Sequence, residues 1–287
     1  MSKPRTYIQS VLIIGALLCI SSAYAQVRIA DDDSTRYVFR LYKPNYFVIE
    51  IYDNDKDLFE SFPDARFQVS YAFGVTVKKS RFFFVTYSQK SFWSLSKDSR
   101  PFREHNFNPG AFFYSDNRIT KFLQTLTGSQ YFKYASEIGV EHESNGIDGF
   151  DSRGWTRVYA KLDLYKAKKN KTNNKKNYGF KSFVKVWYPW SKSEVKFIDS
   201  NGDTLKKSAL LTENIGYFEA SLFFKYPSFE AWLLLRKKSI EAHIKPFKFR
   251  SFFPTLLLFW GKGESLQHAT ENKVRFNIRL GLSLPYN

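Results

Sequence analysis

The sequence predicts an all-β fold: an antiparallel transmembrane β-barrel of about twelve strands. Three observations carry this expectation. The chain is rich in aromatic residues, with 30 Phe, 18 Tyr and 6 Trp among 287 residues. Many of them fall in runs that alternate with polar residues at a period of two, the side-chain period of a β-strand. In the longest runs one face is hydrocarbon and the other carries charge, the pattern of a barrel with a polar lumen and a lipid-facing exterior. A soluble sandwich also alternates, but it rarely sets so many Lys and Arg against so apolar a stripe.

Taken in order, the chain begins with Lys3 and Arg5, an apolar run from Val11 to Ile20, and small residues ending at Ala23-x-Ala25. This describes a secretory signal peptide over 1–25, with the barrel occupying 26–287. The one cysteine, Cys19, falls inside that leader, so disulfides are excluded from the rest. A lipid anchor on Cys19 is the competing reading, and Leu18 fits it poorly. No later stretch approaches the roughly 18 apolar residues of a membrane helix.

Strands are expected near 45–53, 65–77, 81–93, 108–115, 131–144, 155–165, 179–188, 214–225, 228–237, 240–249, 252–261 and 273–284. The last is the cleanest, with Val274, Phe276, Ile278, Leu280, Leu282 and Leu284 facing away from Lys273, Arg275, Asn277 and Arg279. The fourth and tenth are the weakest, because Pro109–Gly110 opens one and Pro246 interrupts the other. An even count returns both termini to the periplasm. It also places the 145–154 loop outside the cell. The basic run from Lys166 to Asn177 reads as a solvated periplasmic turn, with lipid headgroup contact as the sharper alternative. Ser191 to Glu213 reads as a long polar extracellular connection, with too few carboxylates in Asp199–Asp203 for a calcium loop.

The formal charge is +17, from 44 Lys+Arg against 27 Asp+Glu. Such a balance often marks nucleic-acid binding. In a secreted chain, basic residues lining a lumen or meeting lipopolysaccharide phosphates explain it at least as well. No nucleic-acid partner is expected.

Tyr131 to Tyr165 is the stretch around which the rest is organised. Its even positions run Phe132, Tyr134, Ser136, Ile138, Val140, His142, Ser144, and after a loop the alternation resumes with Thr156, Val158, Ala160, Leu162 and Leu164. His142, Ser144 and Thr156 therefore share the apolar face of a hairpin at its loop end. Two residues along a strand is about 6.6 Å, with both side chains on one side. A histidine can thus reach a serine, and position 156 is a cross-strand neighbour of that histidine. A nucleophilic serine needs a base within reach and a third group to orient the base. Alone, a histidine and a serine at a strand end more often form a polar rim than an active site. Polar chemistry on a lipid-facing stripe makes sense where the substrate is lipid.

The motif around these residues reverses that balance. His142-x-Ser144-Asn145-Gly146, followed by Ser152-Arg153-x-Trp155-x-Arg157-x-Tyr159, resembles the active-site signature of the outer membrane phospholipase A family. Tyr87 to Trp93, Pro101 to Glu104 with Asn106, Gly261 to Leu266, and Asn45–Tyr46 are similar to further segments of that family. The resemblance implies an enzyme of the bacterial outer membrane that hydrolyses acyl esters of glycerophospholipids and lysophospholipids. It requires Ca2+ and is active as a homodimer. Ser144 would be the nucleophile and His142 the base, with Thr156 where the family has an asparagine. The backbone N–H of Gly146 would serve the oxyanion. Calcium would be held by the Ile147 carbonyl and Ser152, with Ser99 supplied by the partner subunit, and Asp148 and Asp151 suit the same loop. Gln89 and Ser91 on the lipid face would pair across the subunit interface. His105, His243 and His268 lack ligand spacing. The alternative is a non-catalytic barrel, a narrow pore or a structural protein descended from the enzyme.

Overall fold

The structure is a computed structural model that describes residues 28–31, 35–54, 64–78, 81–95, 102–115, 117–128, 132–147, 152–169, 176–192, 196–198, 204–226, 228–249, 252–270 and 273–284. The expected signal peptide, Ser99, Asp148 and Asp151 lie outside these residues.

Twelve antiparallel strands close into a barrel. They are β3 (Tyr46–Asp53), β4 (Asp64–Lys78), β5 (Arg81–Ser94), β6 (Phe102–Ser115), β7 (Lys133–Ser144), β8 (Gly154–Lys169), β9 (Lys176–Lys192), β12 (Phe218–Lys225), β13 (Glu230–Arg236), β14 (Ser239–Lys245), β15 (Phe253–Gly261) and β16 (Arg275–Ser283). Each pairs with its neighbour in sequence, and β16 closes on β3 from Asn277↔Asp53 to Ser283↔Tyr46. Closure leaves no exposed sheet edge within the barrel, which lipid would not tolerate. Phe73, Val85, Phe113, Ile138, Val184 and Leu282 are exposed on the outside. Among the described residues no helix is long and apolar enough to cross a membrane, and the chain spans with strands.

The expected strand count of twelve holds, with five differences in detail, the first being that the run expected as a turn over 166–177 is strand at 166–169 and 176–177. The fourth strand begins at Phe102, not 108, so Pro109 sits mid-strand. The strand expected over 214–225 begins at Phe218, because a helix α2 (Lys207–Asn214) precedes it. That helix sends Leu211, with Ile215 just after it, into the core. The strand expected over 240–249 ends at Lys245, immediately before Pro246, whose missing N–H cannot extend the ladder. The expected connection 191–213 contains the tail of β9 and a small hairpin, β10 (Lys196–Ile198) with β11 (Thr204–Lys206).

Three further features were not anticipated. Strands β1 (Arg28–Asp31) and β2 (Thr35–Leu41) precede the barrel, and β2 runs beside β4 from Tyr37↔Val75 to Leu41↔Tyr71. Helix α1 (Asn117–Thr127) joins β6 to β7, and the short α3 (Leu266–Ala269) lies between β15 and β16.

The lumen is crossed by ion pairs, with cavities left between them. Arg66 reaches Glu241 at 2.9 Å and Glu264 at 2.8 Å. Arg279 pairs with Glu50 at 2.9 Å and with Glu264. At one end α2 and α3 fold over the mouth. Leu211, Ile215, Leu266 and Ala269 pack with Trp155, Tyr159 and Trp187 in one cluster, and Asn214 donates to the Ala269 carbonyl at 2.8 Å. Many of the basic residues that sequence alone left open thus line the lumen in ion pairs. Between β2 and β3, residues 42–45 reach across it: Tyr42 and Tyr159 approach through their hydroxyls at 3.4 Å, and Lys43 donates to Asn108 at 2.6 Å.

Candidate active site

Strands β7 and β8 pair in register, with His142 opposite Thr156 and Ser144 opposite Gly154. His142 is exposed on the outer face, and Ser144 and Thr156 are half-buried beside it. His142 Nδ1 lies 3.0 Å from Thr156 Oγ1, within hydrogen-bond distance. A threonine hydroxyl can accept from that nitrogen or donate to it. Where it accepts, Nδ1 keeps the ring proton and Nε2 is left as the basic nitrogen. Among the described residues no hydrogen bond joins Ser144 to His142. The two side chains share a face two residues apart, and such contacts commonly tighten only when substrate is bound.

The backbone under His142 is braced from an unusual direction. Strand β6 pairs with β7 at Phe107↔Ser144 and again at Gly110↔Glu141. Pro109, opposite His142 in that register, has no N–H to give. The Asn108 side chain substitutes for it, donating to the His142 carbonyl at 2.9 Å, and is itself held by Lys43. The proline that makes this strand hard to read from sequence is therefore compensated by its neighbour.

The odd positions of the same hairpin point inward and are packed tightly. Arg157 bridges Glu141 at 2.9 Å and Glu143 at 2.8 Å, and lies over the Trp155 ring at 4.2 Å. Trp155 Nε1 donates to Glu143 at 3.0 Å. Lys185 donates to Glu141 at 2.7 Å and sits over Tyr159 at 4.0 Å. Trp155, Arg157 and Tyr159 of the motif are thus the lumenal support of the hairpin.

The loop that follows β7 is closed by Asn145. Its N–H donates to the Arg153 carbonyl, and its side-chain oxygen accepts from Arg153 N at 2.9 Å and from Ile147 N at 3.4 Å. Gly146 has φ +64°, and a Cβ there would meet the Phe107 ring at 2.5 Å. Only glycine suits both the left-handed backbone and the close ring. Its N–H donates to nothing among the described residues. Arg153 ties this loop to the next, donating to Thr270 at 3.2 Å, while Glu104 accepts from Gln267 N at 3.0 Å. Two of the segments that carried the sequence resemblance, those ending at Glu104 and Leu266, thus meet beside this loop.

Of the residues expected to hold a metal, Ile147 and Ser152 are described and flank the same Asn145 clamp, whereas Ser99 is not among the described residues. No group of three His, Cys, Asp or Glu able to hold a metal occurs among the described residues.

Beside the hairpin the outer face of β5 and β6 carries a polar chain. Tyr87 donates to Gln89 at 2.9 Å, Gln89 donates to Ser91 at 3.1 Å, and Ser91 lies 2.8 Å from His105 Nδ1. His105 also stands next to Phe107, ring centres 5.8 Å apart. From sequence, His105 reads only as a surface or lumen residue without ligand spacing. The roles of Asn108, Lys43 and His105 depend on which residues the closed barrel makes neighbours, which spacing alone does not give.

A closed twelve-strand barrel with an apolar outer belt, bearing a histidine, serine and threonine group on that belt, defines a membrane barrel with polar chemistry directed at lipid. The chain belongs to the phospholipase A1 family, whose sequence profile matches residues 23–278. Phospholipase A1 of Klebsiella pneumoniae is 30% identical over 162 residues, 54% of this chain and 48% of that protein. Phospholipase A1 of Escherichia coli K12 is 31% identical over 161 residues, 54% and 47% respectively. The chain thus matches about half the length of these curated relatives. The fold is similar to that of the Salmonella typhi outer membrane phospholipase, crystallised as a dimer with bound calcium. That match has a TM-score of 0.64 at 21% identity, covering 86% of this chain and 92% of that one. Outer membrane phospholipase A from Escherichia coli matches at 0.63 and 21%, covering 86% and 98%.

Proposed function

We propose that this chain is a phospholipase of the bacterial outer membrane that hydrolyses acyl ester bonds of glycerophospholipids, with Ser144 as nucleophile. The observation that carries the reading is the His142–Thr156 hydrogen bond, made on the lipid-facing side of the barrel one step from Ser144. Substrate there never has to leave the bilayer plane.

In this reading His142 Nε2 takes the Ser144 hydroxyl proton as Oγ attacks the ester carbonyl. It then returns that proton to the leaving alcohol, and water repeats the sequence to release the fatty acid. Thr156 holds the ring, and the Gly146 N–H, which donates to nothing among the described residues, would serve the oxyanion. The relatives' names support a lipid ester as substrate, and the ion pairs and the 42–45 segment that cross the lumen argue against the alternative of an open pore.

Calcium fits the donor set, because the Ile147 carbonyl and the Ser152 hydroxyl are hard oxygen ligands brought to one clamp. Ser99 of a second copy completes the proposed set. When bound, the ion supplies positive charge close to the developing oxyanion. A homodimer through the outer face of β5 and β6 suits the Tyr87–Gln89–Ser91–His105 chain, whose polar groups cost less against protein than against lipid. Residues 1–25 are proposed to be removed as a signal peptide, leaving 26–287 as the barrel.

The test is release of fatty acid from phospholipid in mixed micelles, with calcium or with chelator. Calcium-dependent release that is lost in Ser144→Ala supports the reading. A folded barrel inert under every condition favours the non-catalytic alternative.

A further inference from the structure

Helix α1 is built the wrong way round for a helix packed on its own protein. It spans Asn117–Thr127 and enters β7 at the end of the barrel opposite the His142 loop. Its spacing puts Phe122, Leu123 and Leu126 on one side, three and four residues apart. Leu123 is half-buried, but Phe122 and Leu126 are turned away from the barrel, 66% and 71% exposed. The opposite side faces the protein, where Gln124 donates to the Phe132 carbonyl at 2.8 Å. A helix in water would bury Phe122 and Leu126, not Gln124.

Two observations say what covers the apolar side. It continues the outer hydrocarbon belt of the barrel, for α1 links the strands that expose Phe113 and Ile138 to lipid. It is also flanked by cations. Lys121, Lys133 and Lys166 are exposed around it, Lys166 standing 5.6 Å from the Phe132 ring, and the helix itself contains no acidic residue. An apolar stripe edged by lysines at the end of a lipid-facing wall is the form of an in-plane interfacial helix.

We propose that α1 lies in the membrane surface at the end of the barrel away from the active-site loop, with Phe122 and Leu126 below the headgroups and the lysines around it against anionic phospholipid. The barrel would then be held at both rims: at one by the loop beside Ser144, at the other by a helix floating in the opposite leaflet. In an outer membrane that leaflet is the periplasmic one, and the helix fixes how deep the catalytic rim sits.

The experiment uses the full barrel reconstituted in vesicles of phosphatidylethanolamine with or without phosphatidylglycerol. A cysteine is introduced by Leu126→Cys, or by Thr125→Cys as the neighbouring control, and labelled with an environment-sensitive fluorophore. The label at 126 is expected to shift to the blue, to resist aqueous iodide and to be quenched by spin-labelled acyl chains. The label at 125 should behave in the reverse sense. Lys121→Glu should weaken the lipid quenching at 126 in phosphatidylglycerol vesicles by at least twofold. Equal iodide quenching at 125 and 126 would overturn the proposal. So would a disulfide-linked dimer through position 126, which would assign the face to a second copy. None of these readouts depends on hydrolysis.

Discussion

The two faces of the β7–β8 hairpin differ in how their polar groups are held. Toward the lumen, Glu141, Glu143, Arg157 and Lys185 form a buried network in which each charge has a partner within 3.0 Å. Toward lipid, His142 has one side-chain hydrogen bond, to Thr156, and Ser144 has none among the described residues. The same backbone therefore carries a rigid side and a lightly tethered side. Rigidity on one face is what allows the other to hold reactive groups poorly satisfied, since strand position is already set from within. A binding site placed on a fixed scaffold gains its geometry this way.

That contrast can be broken from either side. The largest effect belongs to the lipid face: Ser144→Ala should lower hydrolysis by roughly three orders of magnitude or more, with heat-modified gel mobility and urea midpoint unchanged. Next is Arg157→Leu on the lumen face. It strips the shared partner from buried Glu141 and half-buried Glu143, which keep Lys185 and Trp155, so the cost is expected at about 1–3 kcal/mol. The urea midpoint should fall, and activity should fail at lower temperature while its pH dependence keeps its shape. An unchanged midpoint would mean that the network does not brace the hairpin.

Smaller effects sharpen the role of single tethers. Thr156→Val removes the hydroxyl and should slow hydrolysis by about tenfold, the equivalent of about 1.4 kcal/mol. Thr156→Asn offers a longer acceptor and should exceed the wild-type rate, since a neutral orienting group matters less than the base it orients. All three measured at saturating calcium with indistinguishable rates would show that Thr156 does not orient His142. Asn108→Leu leaves the His142 carbonyl without its substitute donor. A lost hydrogen bond of this kind costs about 1 kcal/mol, read as a several-fold loss in rate with little change in KM.

A pH prediction comes from the mouth of the lumen. Burial alone would raise the Glu264 carboxyl, but Arg279 and Arg66 outweigh it and hold that group well below the usual carboxylate range. A depressed folded pKa adds stability that is present above the unfolded value of about 4.3 and is lost as pH falls through the folded one. Wild type should therefore lose stability on acidification below about pH 4, and Glu264→Gln should be weaker at neutral pH yet lose less on acidification.

The barrel and the hairpin were legible because period-two alternation survives wherever one face meets lipid. Val274 to Leu282 shows the rule, and Leu284, just past the strand, is buried instead. It failed where another constraint took over. At Pro109 a side chain replaced a ladder bond, so a strand continued through a residue that normally ends one. Over 207–215 the polar sequence hid a helix whose Leu211 and Ile215 plug the mouth. For α1, Phe122, Leu123 and Leu126 carried a helical signal that β-dominated surroundings made easy to pass over. At the site, His142, Ser144 and Thr156 could be placed on one face from spacing alone. The support from Lys43, Asn108 and Lys185 could not, because it comes from the β2–β3 linker and from the neighbouring strands β6 and β9, whose register the hairpin's own spacing does not give.

The central claim is that Ser144, on the lipid side, is the nucleophile that His142 activates. Labelling of the reconstituted barrel with a hexadecyl sulfonyl fluoride in calcium, followed by peptide mass spectrometry, tests it most directly. One adduct on the peptide containing Ser144, lost in His142→Ala and slowed in Thr156→Val, is the predicted result. Modification at another serine such as Ser91, or labelling of Ser144 that is indifferent to His142, would contradict it.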